Sequence, residues 1–163
     1  MRQQPETRYP FRNPLPFPVE QFVVREGELA AWVAETFSDE AADAPTVVGH
    51  VSVLDVTDHE IAPSWAAAVG RPAEELAAVS VLVVDLEMGR RGIGSRLMDE
   101  AEEHVRGLGR TPVLEVVADA NSRALGLYLG RGWRAVGEVR PSWLPPGEGP
   151  VKIMVLDPVS GDR

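Results

Sequence analysis

The chain has 163 residues, 44% hydrophobic and 25% charged, with a formal net charge of −9; that suits one globular domain with one core and disfavours nucleic acid or an anionic membrane as the main partner, while remaining compatible with a cationic substrate. The absence of cysteine excludes disulfides, a catalytic thiolate and thiolate metal sites, and accords with a cytoplasmic protein. No metal is expected, because His50, His59 and His104 lack ligand spacing; the longest apolar runs, such as 81–84, are too short to span a bilayer, and the polar start MRQQPETRYP has no apolar signal core.

Residues 1–20 carry Pro5, Pro10, Pro14, Pro16 and Pro18. They form an extended arm, neither helix nor central strand, with Tyr9, Phe11 and Phe17 as packing points. Residues 21–25 read as a short strand or turn. Residues 29–37 read as a strand, although the alanines leave a short helix open. The valine-rich alternation of 46–56 predicts a second strand, and the two form a hairpin around SDEAADAP. A short helix around Trp65–Val69, a Gly-Arg-Pro break and a helical turn at 72–76 follow. Residues 78–85, AVSVLVVD, are apolar enough for a strand covered on both faces.

Ile93, Leu97, Met98, Ala101, Val105 and Leu108 recur at helical spacing and predict a helix over 92–108, ended by Gly107 and Gly109. Residues 112–118 read as a buried strand, and Asp119 or Asn121 can cap a helix over 122–130. Strands 133–140 and 151–156 pair antiparallel around PSWLPPGEGP. The strand-helix-strand unit 78–118 makes its two strands parallel. The fold class is therefore α/β (α+β), with a mixed, mostly antiparallel sheet. With no repeat and no low-complexity linker, the organisation is an arm (1–20), one domain (21–158) and a short tail (159–163).

The turn GRRGIGS opens the central helix without an ordinary N-cap residue. A helix N-terminus exposes unpaired N–H groups and a partial positive charge. Glycines let that backbone approach an anion, and Arg90 and Arg91 add charge. A tight turn whose glycines only satisfy geometry is the plainer alternative. Neither a nucleotide P-loop, GxxxxGK[ST], nor a dinucleotide fingerprint, GxGxxG, is present.

Residues 78–137 resemble the central part of the GNAT-type N-acetyltransferase superfamily. Two motifs carry the resemblance in order and spacing. One is the acyl-CoA pyrophosphate loop, here Gly89-Arg90-Arg91-Gly92-Ile93-Gly94; the other is Asn121, Ala124, Tyr128, Gly132 and Trp133. Gly89 stands where the family prefers Gln or Arg, and Trp133 replaces the usual Phe. The family's leading strand and helices are abbreviated here to the proline-rich arm.

The resemblance implies direct attack of an amine on acetyl-CoA, held where two parallel strands splay apart. Leu82, Val83 and Val84 would offer backbone groups to the pantetheine arm. Gly89, Arg90, Arg91, Gly92, Ile93, Gly94 and Ser95 would surround the pyrophosphate, and Asn121 would hydrogen-bond the cofactor. Tyr128, beside the cofactor, would protonate the departing thiolate as general acid; its plain alternative is a packing aromatic. Where some relatives place a basic carboxylate stands Ala78. The candidate base is Glu115, with His50, Glu75 or a water chain as alternatives, each with an ordinary structural role open to it. Trp143 in loop 141–150, or Trp65, would face the acceptor.

The expected function is acetyl transfer to a primary amine of a small molecule or a protein. A non-catalytic CoA-binding or regulatory domain is the alternative. An unpaired edge along the hairpin 29–56 leads to the expectation of a homodimer.

Overall fold

The computed structural model describes residues 18–37, 44–117 and 122–158. Its elements are α1 (Val19–Val23), β1 (Glu28–Thr36), β2 (Thr46–Asp55), α2 (Ala62–Val69), β3 (Leu76–Val84), α3 (Ile93–Gly107), β4 (Thr111–Val116), α4 (Ser122–Gly130), β5 (Arg134–Val139) and β6 (Val151–Val155). Short 3-10 turns at Ala73–Glu75 and Leu86–Met88 flank β3. The six strands form one sheet in the order β1-β2-β3-β4-β6-β5. All neighbours are antiparallel except β3 and β4. The mixed sheet and its parallel crossover are as the sequence predicts.

Residues 21–25 are a correction. The chain there is the end of helix α1 and its exit rather than a strand or turn, and α1 begins inside the expected extended arm 1–20, at Val19. Pro18 ends the extended backbone at the N-cap, Glu20 stands in the first turn where a negative charge suits the helix dipole, and Phe22 is buried as the anchor. The alanine-rich 28–36 stretch is a strand, with half-buried and exposed residues alternating along it. Its inner residues Trp32 and Ala34 pack toward α3, and Trp32 meets His104 edge-on at 5.3 Å between ring centroids.

Two apolar layers cover the sheet. On one face, Leu97, Met98, Ala101 and Val105 of α3 pack with Val51, Val53, Val79, Leu114, Met154, Tyr128 and Trp133. On the other, Trp65 of α2 packs with Val56, Leu76, Val113, Leu144, Val151 and Ile153. Alternation along β4 thus sends Leu114 and Val116 to the α3 side, and Val113 and Val117 to the α2 side. Gly49 sets how close α3 sits. A Cβ there would lie 2.9 Å from Leu97 Cδ1, 3.1 Å from Ile93 Cγ2 and 3.3 Å from Ala34 Cβ, so a larger residue would push the side chains of the helix's first turns away from β2.

Candidate functional site

β3 and β4 are paired only over Leu76–Ala78 and Thr111–Val113. Beyond that point β3 runs on to Val84 and β4 to Val116 with no pairing between them, so a gap opens in the middle of the sheet. The cause lies in β3. Val81 has φ +51°, a left-handed conformation that a β-branched residue adopts only under strain. The β2–β3 register shifts at the same place, between His50 and Ser52. Two β2 side chains satisfy the carbonyls turned out by this bulge. Ser52 Oγ donates to Ser80 O at 3.2 Å, and His50 Nδ1 meets Val81 O at 3.0 Å. A carbonyl only accepts, so Nδ1 carries the proton. His50 is thus a sheet histidine that holds the bulge.

Past the bulge, Asp85 N–H reaches Val48 O at 2.8 Å, and Val83 is paired with His50. Those residues turn their backbone groups to β2. Leu82 and Val84 therefore turn theirs to the gap. On the opposite rim, Leu156 N–H donates to Pro112 O. Leu114 and Val116 share that direction, toward β6, and leave Val113 and Glu115 to present backbone groups to the gap.

At the end of β3, Asp85 accepts a hydrogen bond from Glu87 N–H at 2.9 Å and starts the 3-10 turn that leads into Gly89–Ser95. Arg90 has φ +64° and Gly92 φ +76°. Gly92 is the N-cap of α3, and no side chain caps the helix. A Cβ on Gly92 would meet nothing within 4 Å, while one on Gly94 would touch Val84 and Leu127 at 3.7 Å. The uncapped N–H groups of Ile93, Gly94 and Ser95 thus face open space beside the end of β3, with Arg90 and Arg91 exposed next to them. This cradle has the form and charge for a pyrophosphate, and the gap beside it has backbone groups for an extended arm.

A clamp fixes α4 to α3 behind the cradle. Glu102, only 5% exposed, accepts from Arg131 Nε at 2.9 Å, Arg131 Nη2 at 3.0 Å and Trp133 Nε1 at 2.8 Å. Arg131 Nη1 also donates to Ser95 O at 3.2 Å. Trp133 N–H in turn donates to Tyr128 O at 3.0 Å, and the Tyr128 and Trp133 rings lie 6.1 Å apart. Tyr128, 8% exposed, belongs to the α3-side layer.

Glu115 belongs to the other face. It retains partial exposure, yet protein atoms ring its carboxyl, and that burial pushes its pKa up, with the Arg25 charge and its own backbone N–H pulling the other way. Beside it on β4, Leu114 O accepts from Trp65 Nε1 at 3.2 Å, and Trp65 is fully buried. Trp65 is therefore a core anchor. His59 packs on Trp65 at 5.4 Å, and Glu60 holds loop 141–150 through Ser142 N–H at 2.6 Å and Ser142 Oγ at 2.7 Å. Trp143, next in that loop, is exposed.

Glu75 is exposed at the far end of β3, where it pairs with Arg71 at 3.4 Å, away from the gap. Asn121 and Asp119, with the arm aromatics Tyr9, Phe11 and Phe17, lie outside the described residues. Among the described residues no group of His, Asp or Glu is arranged to hold a metal, and no helix is long and apolar enough to cross a membrane. Two features had no signal in the sequence. Val81 sits in an unbroken apolar run that reads as regular strand, and Arg25 reaches the neighbourhood of Glu115 only through the fold.

Comparison with known proteins bears on the whole arrangement. The sequence matches the model of the acetyltransferase (GNAT) family over residues 3–133. The fold is similar to Arabidopsis thaliana NAA60 in complex with a bisubstrate analogue, with a TM-score of 0.65 and 22% identity, over 94% of this chain and 89% of that one. It is similar to the same protein in complex with acetyl-CoA, with a TM-score of 0.63 and 22% identity, over 94% and 90%. It also resembles the ribosomal-protein-S18-alanine N-acetyltransferase from Escherichia coli, with a TM-score of 0.56 and 17% identity, over 91% and 83%. No curated protein matches the sequence. The family match covers most of the chain, and the fold carries the splayed sheet and the uncapped helix: the chain belongs to the acetyltransferase (GNAT) family.

Proposed function

We propose that the protein transfers an acetyl group from acetyl-CoA to a primary amine by direct attack. The observation that carries this reading is the gap between β3 and β4. It opens beside an uncapped, arginine-flanked helix N-terminus, with Tyr128 in the layer on one face of the sheet and Glu115 on the strand that forms its far rim.

Ile93, Gly94 and Ser95 offer N–H groups to the pyrophosphate, with Gly89, Gly92, Arg90 and Arg91 forming the rest of the loop. Leu82 and Val84 offer backbone groups along the gap, and Val83 holds the strand to β2. Asn121 completes the proposed cofactor set. When bound, acetyl-CoA supplies an activated acetyl thioester. An amine attacks only after losing a proton, and alkyl ammonium groups have pKa values of about 10. Glu115 takes that proton from the α2 side, the face over which loop 141–150 carries the exposed Trp143. Tyr128 donates its proton to the departing thiolate from the α3 side. The two groups reach one gap from opposite faces, so the proton entering the site and the proton leaving it do not compete for one residue.

The acceptor, a small molecule or a protein, and a cytoplasmic setting are part of this proposal. So is a homodimer across β1, which has no second strand neighbour among the described residues and exposes Leu29 and Val33. Light scattering at micromolar concentration tests the dimer, and a monomer overturns it.

A thermal-shift titration tests the acetyl-CoA reading. At a hundredfold excess over its Kd a ligand adds about 2.7 kcal/mol, which raises Tm by roughly 5–10 °C for a chain of this size. Acetyl-CoA and CoA produce that shift, ATP much less, and Gly94→Asp removes it by placing a carboxylate in the cradle. Equal shifts with ATP refute the assignment. An amine panel followed by free-thiol release then separates an enzyme from a CoA-binding domain without turnover.

A further inference from the structure

The proposed proton transfers leave one buried acid unused. Glu102 on α3 is 5% exposed, and a buried ion pair is weak ground for stability, because desolvation of the two ions offsets their attraction. The bonds around Glu102 instead close a ring between α3 and α4. Both of its oxygens accept from Arg131, and Oε1 also accepts from Trp133 Nε1 at 2.8 Å. Arg131 Nη1 continues to Ser95 O, in the first turn of α3, at 3.2 Å. On the α4 side, Arg131 N–H and Trp133 N–H both donate to Tyr128 O at 3.0 Å. The buried Trp133 ring lies 6.1 Å from the Tyr128 ring. Leu127, next to Tyr128, comes within 3.7 Å of where a Cβ of Gly94 would stand. The helix that carries the tyrosine is thus tied directly to the turn that carries the cradle.

Trp133 stands where the family prefers Phe. A Phe would still fill the α3-side layer that Trp133 occupies. The atom it lacks is the indole Nε1, the one that reaches Glu102. The indole therefore adds a directional tie between the end of α4 and the middle of α3, which ring packing alone does not supply. That tie bears on the proposed chemistry. The cradle on α3 would hold the cofactor by its pyrophosphate, and the sulfur ends a flexible arm, while the proposed acid belongs to α4. In the transfer the bond between acetyl carbon and sulfur breaks with its electron pair going to sulfur. The Tyr128 hydroxyl gives the sulfur a proton, and water returns one to the phenolate. A proton donor serves only within hydrogen-bond reach, so the setting of α4 against α3 decides whether hydroxyl and sulfur meet.

We propose that Trp133 is a positioning residue for Tyr128: its indole bond to Glu102 sets α4 against α3 so that the Tyr128 hydroxyl meets the sulfur of a cofactor held in the cradle. The inference rests on the acyl-transfer reading and adds to it a residue that acts through another.

The test reads the sulfur contact by binding alone. CoA and desulfo-CoA, which lacks the thiol, are titrated calorimetrically into the full chain at about pH 8.5, where an ordinary thiol is half ionised. The ratio of the two affinities isolates the sulfur, and its desolvation is common to all variants. Tyr128→Phe lowers the ratio by about 10-fold or more, the effect of losing a hydrogen bond to a charged group. Trp133→Phe lowers it by about 3–10-fold, because the hydroxyl is displaced rather than removed. Near pH 6, where the thiol is neutral, the Trp133→Phe effect shrinks below about 2-fold. In the Tyr128→Phe chain, Trp133→Phe changes the ratio no further, since the two act as one unit. Affinity for desulfo-CoA reads the cradle, which Arg131 still ties to Glu102, and stays within about 2-fold in Trp133→Phe, showing that the variant is folded. An unchanged ratio in Trp133→Phe, an equal fall when residue 128 is already Phe, or an equal loss of both ligands overturns the proposal. A ratio indifferent to Tyr128→Phe overturns it together with the general-acid role. Failure of the unaltered chain to bind either ligand strikes the acyl-transfer reading itself, and the proposal with it.

Discussion

Glu102→Ala is the sharpest probe of how the site is held. Glu102 is buried and accepts three hydrogen bonds, two from Arg131 and one from the Trp133 indole. Its removal leaves a half-buried guanidinium whose one remaining acid among the described residues is the exposed Asp99, at 2.5 Å, and a buried indole N–H that has lost its acceptor. Breaking a buried pair by deleting one partner costs about 3–5 kcal/mol, so Tm falls by roughly 6–20 °C at 2–4 °C per kcal/mol. A plain cavity mechanism predicts that Glu102→Met, which refills the volume, recovers most of the loss. The charge argument predicts that it does not, and that Glu102→Met with Arg131→Met recovers more, because an apolar replacement of both ions is close to neutral. Differential scanning calorimetry on the four proteins decides between them. Arg131 also holds Ser95 O, so acetyl-CoA affinity falls together with stability in the single variants. A Glu102→Ala cost below about 1 kcal/mol, or full rescue by Glu102→Met alone, refutes the reasoning.

Tyr128→Phe lowers kcat on the order of a hundredfold and leaves the thermal shift with acetyl-CoA unchanged, since the hydroxyl is needed as the thiolate leaves; unaltered kcat makes Tyr128 a packing residue. Glu115→Gln lowers kcat and raises Tm at neutral pH. Burial raises the Glu115 pKa in the fold, so ionisation opposes folding from the unfolded value near 4 upward, and calorimetry shows no gain over the unaltered chain at about pH 3 and a gain that grows as pH rises to 8. For Asp55 the sign is opposite. The hydrogen bonds from Thr57, then Arg110, lower its pKa to about 2. Its contribution to stability is therefore complete above the unfolded value near 4 and disappears as pH falls toward about 2, and Arg110→Met flattens that part of the unfolding curve.

The sequence makes those parts legible where one local rule dominates. The α3 helix is readable because its buried residues keep one period and polar residues fill the rest. The parallel crossover is readable because a buried strand, a helix and another buried strand leave it little choice. The start of α3 without a capping side chain is readable because Gly92 stands where a Ser, Thr, Asp or Asn would cap it. Where two rules compete, the sequence is silent. Val19, Val23 and Val24 favour strand by propensity, but Pro18 and the anchoring of Phe22 make the segment a helix. Trp65 is equally suited to wall a pocket or fill a core, and only its hydrogen bond to Leu114 O distinguishes the two.

The least readable feature is the one on which the proposed function rests. Val79 to Val84 is a near-continuous apolar stretch with high strand propensity, and nothing in it opposes full pairing with the equally apolar β4. The split begins at the bulge of β3 at Val81, which two β2 side chains hold. Ser52 Oγ and His50 Nδ1 bond the carbonyls of Ser80 and Val81 at the bulge. A net contribution of about 0.5–1.5 kcal/mol from each bond offsets strain of the size a left-handed valine carries, about 1–3 kcal/mol. Past it, the backbone of Leu82 and Val84 is turned to the gap, and the close approach of α3 over Gly49 aligns the uncapped turn with the same opening. The two polar side chains on a valine-rich strand are therefore as much a part of the proposed site as the motif itself. Their meaning depends on a neighbour nearly thirty residues away and is not written in either strand alone.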